Sequence, residues 1–412
     1  MRKMKFAPTL VAAAVSTVLL AGCNAQASKQ EAATMAPVGK AMLAKSEQAA
    51  FAPLAPLGPP PQAADNLTTP DKAELGKLLF FDPRVGGDAS TGCSTCHEPE
   101  QGWAWAEDFS RGYPGTVHWR NSQTIINSAY YPRLFWAGSA SSLEKQAKSA
   151  ATGGVAGNGE SDIMEARLAL IPEYRKRFKD VFGDEWPLIE NVWRAIAAYE
   201  TTLVQRDTPL DKYLQGDKAA LSAEQVRGKA LFEGKAGCIQ CHNGAMASDM
   251  DYHNIGVPAN KRWEEDGLAQ ITFRYEQYAK GQTEEGYRTA KSDWGFYYRS
   301  KNKWDKGKFR TPSLRYTAHT APYMHNGILY TLEDVVEFYN RGGFDEEGRT
   351  TQFAENKSKL IKPLGLTDQE KADLVAFLES FSGDPITTEK PALPEYAPLF
   401  TRAELEAAQE AK

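Results

Sequence analysis

Two five-residue strings, Cys93-Ser94-Thr95-Cys96-His97 and Cys238-Ile239-Gln240-Cys241-His242, set two thiols and an imidazole in the pattern that mounts a haem covalently. In each, the thiols can add to the haem vinyls while the adjacent histidine reaches the iron as proximal ligand. Zinc is the competing use of paired cysteines. A zinc ribbon separates its Cys pairs by roughly 15–20 residues, whereas Cys238 follows Cys96 by 142 positions, and a single string would still need two more ligands. The strings therefore read as two c-type haem sites, with His97 and His242 as iron ligands.

The remaining cysteine sits near the start of the chain. Arg2, Lys3 and Lys5 precede an apolar run that ends in Leu20-Ala21-Gly22-Cys23, the layout of a secretory signal. That ending is similar to the bacterial lipoprotein box, in which the cysteine carries the lipid. Residues 1–22 are thus expected to be a lipoprotein signal peptide. Residues 23–65, rich in Pro and Ala, should be a flexible tether. Export to the periplasm or cell envelope follows, with a membrane anchor through lipid on Cys23. With four of the five cysteines in the haem strings and Cys23 spoken for, no disulfide framework is available. A net charge of −5 advertises no partner, and no basic stripe suggests nucleic acid.

The elements that must position the two sites read as helices, and strand signals are sparse, so the fold is expected to be mainly α. Gly76-Lys77-Leu78-Leu79-Phe80 before the first string is echoed by Gly228-Lys229-Ala230-Leu231-Phe232 before the second. Ser222-Ala223-Glu224-Gln225 and Thr367-Asp368-Gln369-Glu370 fit capping boxes. Val192 to Leu203 is another apolar-periodic helix. Two cytochrome c-like haem domains packed together are expected over 66–215 and 216–385, followed by a tail over 386–412.

Several further motifs stand in order around the strings: Arg120-Asn121-Ser122, Phe135-Trp136, Leu143-Glu144-Lys145-Gln146-Ala147, Phe309-Arg310-Thr311-Pro312-Ser313-Leu314-Arg315 and Ala321-Pro322-Tyr323-Met324-His325-Asn326-Gly327. From about Leu75 to Gly383 the chain resembles the bacterial dihaem cytochrome c peroxidases and their MauG-like relatives. The resemblance implies that the first haem domain meets peroxide, that the second exchanges electrons with the outside, and that a calcium ion lies between them. Trp136 matches the tryptophan that relays electrons between the haems, although a core role is the usual fate of a large aromatic. Gln146 matches a distal-pocket glutamine over the peroxidatic haem. The family's distal glutamate is best matched by Glu160, with Asp162 and Glu165 as rivals, because the glycine-rich stretch from Ser149 to Asn158 shifts the register. A carboxylate there would take a proton from bound peroxide and return it to the leaving oxygen. The family's Trp-Asp-Gly-Arg is altered here to Trp136-Ala137-Gly138-Ser139.

The second haem's sixth ligand separates the family's branches. Peroxidases that draw electrons from a small cytochrome place methionine fourteen residues after the motif histidine. Here that position, counted from His325, is Tyr339, as in the MauG-like branch. Leu332, Val335, Val336 and Tyr339 form one apolar helical face behind Thr331 as N-cap, a pattern that equally suits a core tyrosine. Met246, Met250 and Met324 are the alternative thioether ligands. A hard phenolate favours ferric and higher states, whereas a soft thioether favours ferrous iron. His118 stands too near Asn121 to match the histidine that closes the first haem in some relatives, so an open distal face is expected, and His253 and His319 read as structural. Calcium would take the Asn121 side chain and the carbonyls of Thr320 and Pro322, all hard oxygen donors.

Three functions follow. The resemblance to the MauG-like branch leads: peroxide oxidises the dihaem centre to a high-valent state, which oxidises an aromatic residue, tryptophan first, of a partner protein by long-range electron transfer. The second is a cytochrome c peroxidase fed by a small redox protein, and the third a non-catalytic dihaem electron carrier. A homodimer is also compatible with the resemblance.

Overall fold

The computed structural model describes residues 51–397 apart from 114, 116, 280, 290–291 and 344–352, together with residue 407. The signal segment, Cys23 and the first part of the expected tether lie outside the described residues. Thirteen helices run in chain order through the described part. They are α1 (Pro70–Phe81), α2 (Leu143–Thr152), α3 (Ser161–Ala169), α4 (Pro172–Phe182), α5 (Ile189–Thr202), α6 (Pro209–Leu214) and α7 (Ala223–Glu233), then α8 (Lys261–Glu265), α9 (Gly267–Ala279), α10 (Glu284–Thr289), α11 (Tyr297–Ser300), α12 (Leu332–Asn340) and α13 (Asp368–Glu379). The named strands among the described residues, β1 (Tyr252–His253) and β2 (Phe309–Arg310), pair antiparallel. The fold is mainly α, as the sparse strand signals indicated. No helix among the described residues is long and apolar enough to cross a membrane.

Local chemistry starts the helices where the sequence places its caps. Ser222 with Gln225, Thr331 with Asp334 and Thr367 with Glu370 each close a reciprocal capping box on α7, α12 and α13. The apolar side chains then gather into two main clusters. One joins α1 and α5 through Leu75, Leu79, Phe80, Val192, Ile196 and Tyr199. The other joins α7 and α13 through Phe232, Leu374, Phe377, Leu378 and Phe381.

The echoed glycines explain how closely each pair crosses. A Cβ on Gly76 would meet the Ala195 carbonyl oxygen at 1.9 Å, and one on Gly228 would meet that of Asp373 at 2.0 Å. Only glycine lets the backbones approach so far. Each crossing carries its haem string on the turn that follows, at Cys93–Thr95 and Cys238–Gln240.

The stretch expected to be a free tether departs from that reading at its C-terminal end. Leu54 and Leu57 are buried, the Leu57 N–H donates to Asp211 Oδ1 at 3.3 Å, and the Ala55 carbonyl accepts from Arg315 Nη2 at 3.0 Å. A buried Asp211–Arg315 pair leaves lone pairs and N–H groups to satisfy, and residues 51–65 supply some of the partners. The stretch after 385 is also docked: Trp103 Nε1 donates to the Ile386 carbonyl at 2.8 Å, and Arg84 to that of Pro394 at 2.7 Å.

Candidate functional site

One cavity of about 1390 Å³ runs through the described body, above the roughly 300–1,000 Å³ usual for one small-ligand pocket. It is bordered by both haem strings, through Cys96 and His97 at one end and Cys238, Cys241 and His242 at the other. None of the four string cysteines is paired in a disulfide. Burial lowers both histidine pKa values and pushes the Cys93 thiol well up, with the Cys238 thiol raised to about 12.

Each histidine is oriented by a backbone carbonyl. His97 Nδ1 lies 3.2 Å from the Trp103 oxygen and His242 Nδ1 lies 3.1 Å from the Ala247 oxygen. A proton on Nδ1 donates to the carbonyl, leaving Nε2 as the lone-pair nitrogen for iron. Paired thiols, a pre-oriented imidazole and a shared cavity of this size fit two covalent haems.

Trp136 borders the same cavity. Its Nε1 donates to the Asn121 carbonyl at 2.9 Å, and its ring meets His325 edge-on at 6.5 Å between centroids. His325 in turn stacks on Phe309 at 3.7 Å. Desolvation holds the His325 pKa down to about 3, so this imidazole is neutral. Asn121, Thr320 and Pro322 border the same cavity. The Asn121 amide nitrogen donates to the carbonyls of Trp105 and Glu107.

Tyr339 borders the second end, on the α12 face that the apolar spacing indicated. Burial and the neighbouring Cys241 and Cys238 thiols push its phenol pKa up. Met246 and Met250 are absent from the cavity wall, and Met324 is on it. His118 also borders the cavity, its Nδ1 accepting from the Arg120 N–H at 3.2 Å. His253 bonds Asp249 at 2.8 Å and borders the cavity, and His319 bonds the Gly383 carbonyl at 2.8 Å.

Gln146 borders the cavity from α2, and Glu160 is not on its wall. The glycine-rich segment folds back on the end of α2, with Gly157 N–H on Ala150 O at 2.9 Å and Gly159 N–H on Ala151 O at 2.7 Å. That fold delivers Glu160 to the N-cap position of α3 with an exposed side chain. Asp162 is exposed as well, and Glu165 accepts from Trp186 Nε1 and the Ile189 N–H.

The carboxyls that do border the cavity are Glu200, Glu264, Glu276 and Asp293. Asp293 is held by Arg120. Glu276, from α9, is buried, and its Oε1 lies 3.7 Å from where a Cβ on Gly154 would stand, against the loop that follows Gln146. Sequence reading missed it because α9 has no place among the quoted motifs. A signal existed: Ala269, Thr272, Phe273, Glu276 and Gln277 recur at helical spacing, which puts a carboxylate on the buried face.

A mainly helical fold that turns two C-x-x-C-H strings into one shared cavity defines a dihaem c-type protein. A family model described as di-haem cytochrome c peroxidase matches residues 70–219. The chain is 55% identical over 375 residues to cytochrome-c peroxidase IdrP1 of Denitromonas iodatirespirans, covering 90% of this chain and 98% of that one. It is 33% identical to the methylamine utilization protein MauG of Methylorubrum extorquens, over 81% of this chain and 84% of that protein. Among solved structures, a MauG-like protein associated with microbial copper homeostasis superimposes with a TM-score of 0.67 at 30% identity, over 79% of this chain and 93% of the other. The chain belongs to the di-haem cytochrome c peroxidase and MauG family, whose members are peroxide-dependent dihaem oxidoreductases with two c-type haems.

Proposed function

We propose that this protein reduces hydrogen peroxide at the His97 end of the cavity, using electrons that a small redox protein delivers through the His242 end. When bound through Cys93, Cys96, Cys238 and Cys241, the two haems supply the irons that carry those electrons and at which peroxide is cleaved. One peroxide, two protons and two electrons give two waters. The Gln146 amide orients peroxide by hydrogen bonding, and Glu276 takes the proton of the incoming oxygen and returns it to the leaving one. Trp136 divides the electron path into two shorter steps, and Tyr339 closes the second site.

The observation that carries this reading is that Gln146, Glu276, Trp136 and Tyr339 border one cavity with both haem strings. The 55% identity to a protein named cytochrome-c peroxidase, over nearly all of its length, supports electrons from a redox protein. A second reading, oxidation of a tryptophan on a partner protein, is favoured by Tyr339, because a phenolate stabilises the oxidised pair. Calcium on Asn121, Thr320 and Pro322, and an envelope location with a lipid on Cys23, belong to the same proposal.

The test is the purified dihaem protein, followed by absorbance and EPR before and after stoichiometric peroxide. Rapid turnover with reduced cytochrome c supports the first reading. A peroxide-oxidised state that outlives excess cytochrome c and decays only with a protein substrate replaces it by the second. Persistence of the resting low-spin signal in Tyr339→Phe removes the tyrosine ligand, and no reaction with peroxide refutes both readings.

A further inference from the structure

One stretch of the chain occurs twice, 189 positions apart. The segments 121–154 and 310–343 run in register without an insertion, through Gly138 and Gly327, Leu143-Glu144 and Leu332-Glu333, to Gly153-Gly154 and Gly342-Gly343. Their backbones agree where agreement is hardest to reach by chance. Asn127 and Tyr316 (φ 63° and 72°), Phe135 and Met324 (φ 64° and 71°), and Gly138 and Gly327 (φ 65° and 62°) all take the left-handed conformation, which residues other than glycine adopt only rarely. Ser142 and Thr331 then cap α2 and α12. The two copies also hold each other reciprocally: the Asn121 N–H donates to the His325 carbonyl at 2.9 Å, and the Arg310 N–H to that of Trp136 at 2.8 Å. Such an exchange of equivalent partners marks a two-fold relation, here within one chain.

The relation makes α2 and α12 one helix used twice. Ala147 of α2 joins the cluster against which Cys93 packs, and its counterpart Val336 of α12 joins the cluster against which Cys238 packs. Each helix therefore serves its own haem string. Tyr339, whose phenol is a neighbour of Cys241 and Cys238, corresponds to Ala150, and Val335 corresponds to Gln146. All four border the cavity. Residues four apart share a helix face, so α2 presents an amide and a methyl where α12 presents an isopropyl group and a phenol.

We propose that Ala150 is the side chain that leaves the His97 iron open. A phenol oxygen can take an iron's sixth position, whereas a methyl has no lone pair to offer. One helix position thus closes the second haem and leaves the first accessible, and Gln146 in place of Val335 adds a hydrogen-bond donor on the same face. Small ligands, peroxide among them, are admitted at one end only. The inference rests on the reading of Tyr339 as an iron ligand and assigns the opposite role to its counterpart.

The test uses the resting ferric holoprotein, its EPR spectrum and its uptake of cyanide, a probe of open ferric haem that needs no turnover. The wild type should show one high-spin and one low-spin haem and take up one cyanide per chain. Ala150→Tyr should convert the high-spin signal to low-spin and abolish cyanide uptake, while Ala150→Phe, which has the bulk without the oxygen, should stay high-spin. Tyr339→Ala should make the second haem high-spin and raise cyanide uptake to two per chain, which decides the matter if Ala150→Tyr fails to load haem. Ala150→Tyr that stays high-spin with wild-type cyanide affinity overturns the proposal, as does Tyr339→Ala that loses its low-spin signal and still takes up one cyanide. A low-spin signal that persists in Tyr339→Ala removes the ligand reading of Tyr339 and the inference with it; failure of Ala150→Tyr alone removes only the inference.

Discussion

Replacing Glu276 by glutamine keeps the side chain's size and hydrogen-bonding reach while removing its ability to take and return a proton. The carboxylate is buried and its Oε1 stands 3.7 Å from the Cβ position of Gly154, on the loop that leaves the Gln146 helix. A positioned acid–base group contributes typically 10²–10⁴ in rate, so Glu276→Gln should lower kcat/KM for peroxide by about that factor, or roughly 2.7–5.4 kcal/mol of barrier. Glu160→Gln should fall within about twofold of wild type, because an exposed substitution away from the cavity moves little. Gly154→Ala is a useful third variant. Its methyl would meet Glu276 at an ordinary contact distance, so it narrows the site without altering its proton chemistry and should slow the reaction far less than Glu276→Gln. The assay is stopped-flow mixing of holoprotein with peroxide under pseudo-first-order conditions, with haem content verified for each variant. A Glu276→Gln protein that reacts within threefold of wild type, or a larger loss in Glu160→Gln, would refute the assignment.

Trp136→Phe removes a readily oxidised ring and the 2.9 Å bond to the Asn121 carbonyl. It should cost about 1 kcal/mol of stability and slow electron equilibration between the haems after peroxide, read by rapid-freeze EPR; an unchanged equilibration rate would show that electrons bypass it. Arg315→Met leaves Asp211 buried without its cation. Burial alone would raise the Asp211 pKa, and the Arg315 bonds hold it below the usual range. The loss should reach roughly 3–5 kcal/mol in denaturant unfolding at neutral pH and shrink as acid protonates Asp211. Glu200 predicts the opposite trend. Its folded pKa is about 8 against an ordinary 4.5, so the folded chain keeps a proton that the unfolded chain releases, and stability falls as pH rises between those values, by roughly 4–5 kcal/mol. Glu200→Gln should remove that fall, and an identical stability–pH profile for variant and wild type would exclude the shift.

What could be read from the sequence was what local chemistry or a repeated pattern determines. The capping residues Ser222, Thr331 and Thr367 act through neighbours three positions away, so the helices they start were visible before any tertiary contact was known. The two C-x-x-C-H strings act over five residues, and each binds its own histidine to a carbonyl within six positions. The distal acid is different in kind. Glu160 was the best match after the expanded glycine-rich stretch, but hydrogen bonds from Gly157 and Gly159 to the end of α2 turn the segment, and chain distance stops measuring spatial distance there. Glu276 reaches the same wall from a helix whose opposite face shows Leu268, Ile271, Tyr275 and Tyr278 to solvent. Periodicity reports two apolar stripes on α9 and cannot choose which one packs; the choice is made by Trp119 and Trp263, whose rings meet Phe273 edge-on at 5.3 and 5.1 Å. Glu276, one turn after Phe273, is carried inward by that aromatic contact. The candidate acid is thus positioned by packing between residues 119, 263 and 273, and a variant that weakens this contact, such as Phe273→Ala, should impair the peroxide reaction while leaving both haem strings and Gln146 in place.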